Sequence, residues 1–477
     1  MSVLLSRVLD PQPVASLDDY LEMGGGDGRA AAAKLGQAAT IEELEASGLR
    51  GRGGAGFPTG TKWRTVAGYS SPTLPATVVV NGAEGEPGSF KDRELLSRNP
   101  YRVLEGALIA ADTVGADRAI VAVKSTFAAE IARLQQAIAE LTAAGWADGV
   151  AIDVVAGPDE YLFGEETALL EVVDGRPPFP RVAPPFRHGA DELGDGDGSA
   201  ADVEMAGAAS DAPPTLANNV ETLANVPGIL ANGAAWFREV GTPASPGTIV
   251  CTVTGSTKGA GVGEVAMGTP LRAVIDWIGG GLEAGANVRA VLSGVAHPMI
   301  PAAALDTPLT YEDMEAAGSA LGAAGFIVFD DSIDVVAVAQ GVARFLAIES
   351  CGQCTPCKQD GLAIATLLEQ FCASNATDDD LANLLSRVDT VADEARCFLA
   401  HQQQRVIGSL LALFPEALAV HMEASPERTE AVTPVLIAPL TSMDGDVATV
   451  DENHRTKQPD WTHDPVDSGA APADRLT

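Results

Sequence analysis

Apolar runs alternating with helical periods dominate the first half of the chain. The β-branched run Thr77–Val80 predicts a buried strand, and residues 118–124 and 151–156 predict two more. Between them, residues 100–114 and 126–144 carry the period of helices. Upstream, a short helix is predicted over 29–38. A second, amphipathic helix is predicted from Thr40, with Glu43 completing a capping box, to a stop at Gly48. Strands alternating with helices predict an α/β domain with a parallel sheet over residues 40–240. Residues 246–330 switch to short strands and turns around one helix near 270–278, a small α+β domain. Residues 334–420 turn helical, which predicts a bundle. Residues 1–39 read as an N-terminal extension, 188–214 as an acidic, glycine-rich loop insertion, and 442–477 as a disordered tail.

Composition narrows what such a chain can do. Thirty basic against 65 acidic residues give a net charge of −35, a field that repels nucleic acid. That balance fits a halophilic surface, hydrated and screened at high salt, or a docking field for a basic partner. No apolar run reaches the roughly 18–20 residues of a membrane span, and the N-terminus lacks a secretory pattern. The expectation is a soluble, cytoplasmic protein with no direct membrane insertion. Six cysteines in 477 residues do not make a disulfide framework, but four of them group as Cys351, Cys354, Cys357 and Cys397.

That grouping is the sharpest chemical signal. Cys-x2-Cys-x2-Cys on one tight loop suits three irons of a cubane, and the distant Cys397 closes it. Structural zinc is the alternative, although it more often uses separated pairs. Cys251, in a strand-like run, and Cys372, in an apolar helix, read as buried thiols.

Four further units carry polar chemistry. Residues 51–60 hold five glycines in ten positions, which lets backbone amides approach a phosphate, with Lys62 adding charge and Phe57 a stacking face. Plain turn chemistry is the alternative, and the run follows a helix, unlike a Rossmann fingerprint. Directly after the first strand come Asn81, Glu84 and Glu86, placed to line a pocket at a strand's carboxyl end. Lys91, Asp92 and Arg93 beyond them read as solvated charges capping the next helix. Tyr161-Leu-Phe-Gly-Glu-Glu-Thr167 follows the third strand, its glutamates facing either a ligand or a helix dipole. Asn218 and Asn219 in Thr215–Thr222 need hydrogen-bond partners if buried, which points to a polar ligand.

These units, in this order and followed by the cysteines, closely resemble the NADH- and FMN-binding flavoprotein subunit of respiratory complex I. Relatives occur in NAD-linked formate dehydrogenases and NAD-reducing hydrogenases. The resemblance covers residues 40–420. It implies FMN contacts for Gly51, Gly53, Gly54, Lys62, Asn81, Asn218, Asn219 and Thr222, and adenine-stacking roles for Phe57 and Phe186. It places Glu84, Glu86, Tyr161, Gly164, Glu165 and Glu166 on the nicotinamide and ribose side, with Glu84 and Glu166 nearest the chemistry. Residues 246–330 become a ubiquitin-like domain, and the four cysteines become ligands of one 4Fe–4S cluster.

The implied activity is NADH dehydrogenation: hydride passes to FMN, then single electrons pass to the cluster and on to partner subunits. The implied partners are a small thioredoxin-like 2Fe–2S subunit and a further iron–sulfur subunit, through which the chain lies peripheral to a membrane. The sequence departs from the family pattern at Ala83 in place of aspartate, at Ala183 and Arg187, and in the longer Cys357-Lys-Gln-Asp-Gly. Two rivals stand beside this reading: an NAD-reducing subunit of a formate dehydrogenase or hydrogenase, and a flavin-free scaffold paralogue.

Overall fold

The computed structural model describes residues 4–182, 184–185, 189–190 and 212–476. Four strands, β1 (Ala76–Gly82), β2 (Ala116–Lys124), β3 (Ala151–Gly157) and β4 (Thr215–Asn219), form a wholly parallel sheet in the order β3-β2-β1-β4. Val78, Val79 and Val80 are fully buried, as a central parallel strand requires. From β1 the chain builds outward through β2 to β3, then returns to add β4 on the other side of β1. The carboxyl ends of β1 and β4 therefore flank a topological switch point, where open α/β sheets bind ligands. Register places Asn81 opposite Asn219 and Val80 opposite Asn218 there.

A second, mixed sheet comprises β5 (Thr248–Gly255), β6 (Gly261–Ala266), β7 (Val288–Ser293), β8 (Ile300–Pro301) and β9 (Gly325–Asp330), ordered β6-β5-β9-β7-β8. Its core holds Val253, Val274, Ile275 and Phe326, so the helix Leu271–Gly279 covers one face. Cys251 is buried in this core. Beyond it the helices Val335–Glu349, Thr355–Cys372, Asp378–Thr390 and Leu399–Leu413 share another core with Phe345, Leu368 and Phe371, and Cys372 lies within it. Among the described residues no helix is long and apolar enough to cross a membrane.

Three expectations change. The predicted pair of helices forms within Asp27–Ser47, but the break between them falls at Gly36, where φ is 76° and ψ 170°, rather than at the expected start near Thr40. The break falls ahead of Thr40, so no capping box forms; Thr40 is buried and Glu43 instead accepts from the Ala234 amide. The N-terminal extension joins the first core: Tyr20 donates to the fully buried Glu105 at 2.6 Å, and the Gly26 and Arg29 amides donate to the same carboxylate.

The tail is ordered. Strands β10 (Leu440–Asp444) and β11 (Val447–Val450) make a hairpin, and His454, Lys457, Asp460 and Trp461 are buried. Its polar composition hides this order, because Lys457 and His454 are matched across the fold, by Glu349, rather than along the chain. Most of the predicted insertion, and Phe186, Ala183 and Arg187, lie outside the described residues.

Candidate functional site

The switch point opens into one cleft of about 960 Å³, at the upper end of ordinary ligand pockets. Gly51, Gly53, Gly54, Phe57 and Lys62 line one side of it. Asn81, Glu84, Glu86, Asn218, Asn219 and Thr222 come from the ends of β1 and β4 and the turns just past them. Tyr161, Gly164, Glu165 and Glu166 form a third wall. All the sequence-predicted cleft residues thus meet in one place, except Phe186, which lies outside the described residues.

The glycine run suits a phosphate. Gly54 has φ 128°, and a Cβ there would meet nothing closer than 3.9 Å, so any side chain would project into free space. The Arg52 amide is fixed by the Thr222 hydroxyl at 2.8 Å. The Gly53 and Gly54 amides donate to no group among the described residues, which leaves two N–H donors for an anion. Lys62 is drawn to Glu166 at 2.5 Å, so a phosphate would compete for that ammonium.

Several polar side chains already have protein partners. Asn81 donates to the Gly164 carbonyl at 2.9 Å, and Asn218 accepts from the Trp63 indole at 2.9 Å. Asn219 donates to Asp92 at 2.7 Å and accepts from Lys91 at 3.1 Å. Asn219 is thus satisfied within the fold, whereas the Asn218 side-chain amide nitrogen, at the cleft, donates to no group among the described residues. Glu165 caps the helix Glu166–Val173, accepting from Thr167 and Ala168, as the dipole reading expects.

Lys91 and Asp92 are not solvated. Both are buried, and Lys91 lies 2.7 Å from Asp92 and 3.0 Å from Glu221. Burial alone would lower the Lys91 ammonium, yet Asp92 and Glu221 hold it above its usual range. Arg93 is mostly covered as well, stacking on Phe90 and Phe127 and pairing with the buried Glu130 at 3.1 Å. Burial raises Glu84, with Asp92 adding to it, and burial raises Glu86. Glu86 accepts from the Tyr161 hydroxyl at 2.6 Å and the Val295 amide at 2.6 Å. Ala83 lines the cleft and adds no side-chain acceptor to it.

Pattern reading missed the opposite rim, where His297, Phe398, Gln402 and Arg405 converge. None has a local motif, and all arrive through tertiary folding. Arg405 stacks on Phe398 at 4.7 Å. Burial, helped by Arg405, pulls His297 down to about 4 from an ordinary 6.5. Between those values the unfolded chain takes up a proton that the folded chain refuses, so acidification destabilises the fold through His297. His297→Gln is expected to flatten the loss of urea midpoint between pH 6.5 and 4; an unchanged slope contradicts the assignment.

Behind the cleft lies a smaller cavity bounded by Cys351, Cys354, Cys357 and Cys397. Cys354 caps the helix Thr355–Cys372, with Cys357 in its first turn, so the positive end of a helix dipole faces the thiols. Burial pushes Cys357 up to about 11 and Cys397 up to about 12, so bare thiols stay protonated and binding a metal centre releases protons. Among the described residues no three metal-binding side chains close on a single ion's spacing. Four thiols lining one cavity can hold a polynuclear cluster, one thiolate per iron.

Leu162, Cys397 and Leu399 line both cavities. An amide-lined cleft sharing one wall with a four-thiol cage defines the class as an iron–sulfur flavoprotein. Residues 44–228 match the family described as the Nuo51 FMN-binding domain, and 337–421 the NADH-ubiquinone oxidoreductase-F iron–sulfur binding region. An F subunit of NADH-quinone oxidoreductase from Rhizobium meliloti is 35% identical over 80% of this chain and 88% of its own length. The corresponding F subunit from Streptomyces coelicolor is 34% identical over 88% and 91%. An NAD+-reducing [NiFe]-hydrogenase in the H2-reduced state superposes with TM-score 0.74 at 32% identity, over 88% of this chain and 66% of the hydrogenase chain. The chain belongs to the family of NADH-quinone oxidoreductase F subunits, oxidoreductases that combine an FMN-binding domain with an iron–sulfur region.

Proposed function

We propose that this chain is an NADH-oxidising electron-entry subunit, binding FMN and NADH in the large cleft and a 4Fe–4S cluster in the thiol cage. The observation that carries this reading is the shared wall of Leu162, Cys397 and Leu399, which brings the two compartments within one side-chain layer. Bound FMN supplies the means to take a hydride and release its electrons singly.

The chain's own residues bind and orient. The Gly53 and Gly54 amides and Lys62 hold the flavin phosphate, while Asn81, Asn218, Asn219 and Thr222 set the strand ends against the ring and ribityl chain. Glu84, Glu86, Tyr161, Gly164 and Glu165 shape the nicotinamide and ribose side, and Phe57 offers an exposed stacking face for adenine, paired in the family pattern with Phe186. No protein acid or nucleophile is required. Residues 246–330 act as a ubiquitin-like domain that closes the cleft, and 334–420 as the cluster-bearing bundle. The subunit works with a small thioredoxin-like 2Fe–2S subunit and a further iron–sulfur subunit, cytoplasmic and peripheral to the membrane through them.

Anaerobic NADH titration of the purified protein tests this reading: flavin absorbance bleaches first and the cluster signal comes after it. A protein that binds no flavin, or whose flavin ignores NADH, overturns it. Glu166→Gln is expected to tighten NADH binding about two- to fivefold by removing a charge that repels the anionic nucleotide, the range of a part-exposed ion-pair partner. Unchanged affinity would remove Glu166 from the nucleotide site. Likeness to the hydrogenase chain supports a second reading, an NAD-reducing module running toward NADH. Co-purification with a hydrogenase or formate dehydrogenase subunit decides between the two.

A further inference from the structure

The C-terminal segment beyond β11 packs on the cysteine loop, and nothing in the proposed chemistry uses it. The contact centres on Glu349, the last residue of the helix Val335–Glu349, buried at 2% exposure and two residues ahead of Cys351. Lys457 donates to Glu349 at 2.6 Å, and His454 lies 3.0 Å from the same oxygen. The other carboxylate oxygen accepts from the Tyr161 amide, at the cleft wall, at 3.0 Å. Phe345 packs between Tyr161 and His454, with ring centroids 5.3 and 4.9 Å away. The same segment grips the loop itself. The Ala473 amide donates to the Cys351 carbonyl at 2.9 Å, and Pro459 accepts from Lys358, the residue after Cys357.

We infer that residues 451–476 clamp the thiol cage, and that Lys457 is a positioning residue that sets the cage's electrostatics by balancing Glu349. The inference rests on the reading that the cage holds a cluster. Reduction adds negative charge there, and a buried carboxylate stripped of its ammonium opposes it. Tyr161 hangs from the same carboxylate, so the clamp also couples cage and cleft.

The test compares Lys457→Met, which keeps the aliphatic stem, with Lys457→Arg, which keeps the charge. Iron and acid-labile sulfide per chain are measured first, then the cluster's reduced fraction by redox-poised electron paramagnetic resonance. In Lys457→Met the reduced-to-oxidised ratio at fixed potential is expected to fall about tenfold, which for a one-electron couple is about 59 mV. Lys457→Arg and the double variant Glu349→Gln/Lys457→Met are expected to return it toward the parent value. A normal ratio in Lys457→Met with full iron content overturns the inference. So does equal cluster loss in the Met and Arg variants, which would mark the contact as packing alone. A parent protein that holds no 4Fe–4S cluster defeats the underlying reading instead, and is recognised before any variant is made.

Discussion

Cys397→Ser is expected to abolish the 4Fe–4S cluster while leaving NADH-dependent flavin reduction intact. Cys397 is the thiol that lies far from the other three in sequence, and it lines both the cage and the cleft. The loop holding Cys351, Cys354 and Cys357 keeps its helix cap, so the fold around the flavin has no reason to collapse. Losing a ligand's outer-shell partner already costs about 10–100-fold in metal-site function, and loss of the ligand itself exceeds that. Electron delivery to a partner subunit should therefore drop by about 100-fold or more, while an artificial acceptor that draws directly on flavin stays active. Iron analysis, visible spectra and the two acceptor assays on one preparation check this. Full cluster content with an unaltered spectrum and unchanged electron delivery would remove Cys397 from the ligand set.

The second large effect concerns stability. Lys91→Met should destabilise the protein by about 3–5 kcal/mol, the usual result of removing one partner from a buried ionic network. Lys91 is 1% exposed between Asp92 and Glu221, themselves 5% and 1% exposed, and Asn219 bridges to the cleft. Without the ammonium, two carboxylates face each other across a site that excludes water, and Arg52 reaches Glu221 only at 3.9 Å. A solvated lysine at the same position would change stability within about 0.5 kcal/mol. Urea denaturation separates those magnitudes, and flavin retention should fall with the midpoint because Asn219 loses its brace.

That contrast shows how much could be read from sequence. Strands β1 to β3, their order along the chain and the grouping of the cysteines were legible because each depends on local period or spacing, whereas β4, β10 and β11 were not. The residues of the glycine loop, the strand ends and the Tyr161 turn were legible as a set, and they do line one cleft. The state of Lys91 was not, because its burial depends on Glu221, 130 positions away. His297 and Arg405 were invisible for the same reason. The tail misled because Lys457 and His454 look like solvated charges until Glu349 is placed beside them. The predicted Thr40 cap failed to a single backbone angle at Gly36, which no apolar pattern reports.

The clamp over the cage also has a meaning in time. A chain emerges from the ribosome N-terminus first, and its domains fold in that order. The glycine loop and the parallel sheet are therefore made well before Cys397, and the segment carrying Lys457, Trp461 and Ala473 is made after it. Trp461 and Ala473 then seal the cysteine loop through the Ile348 and Cys351 carbonyls. Chain direction thus sets an order of synthesis: the thiols of the cage come before the segment that covers them.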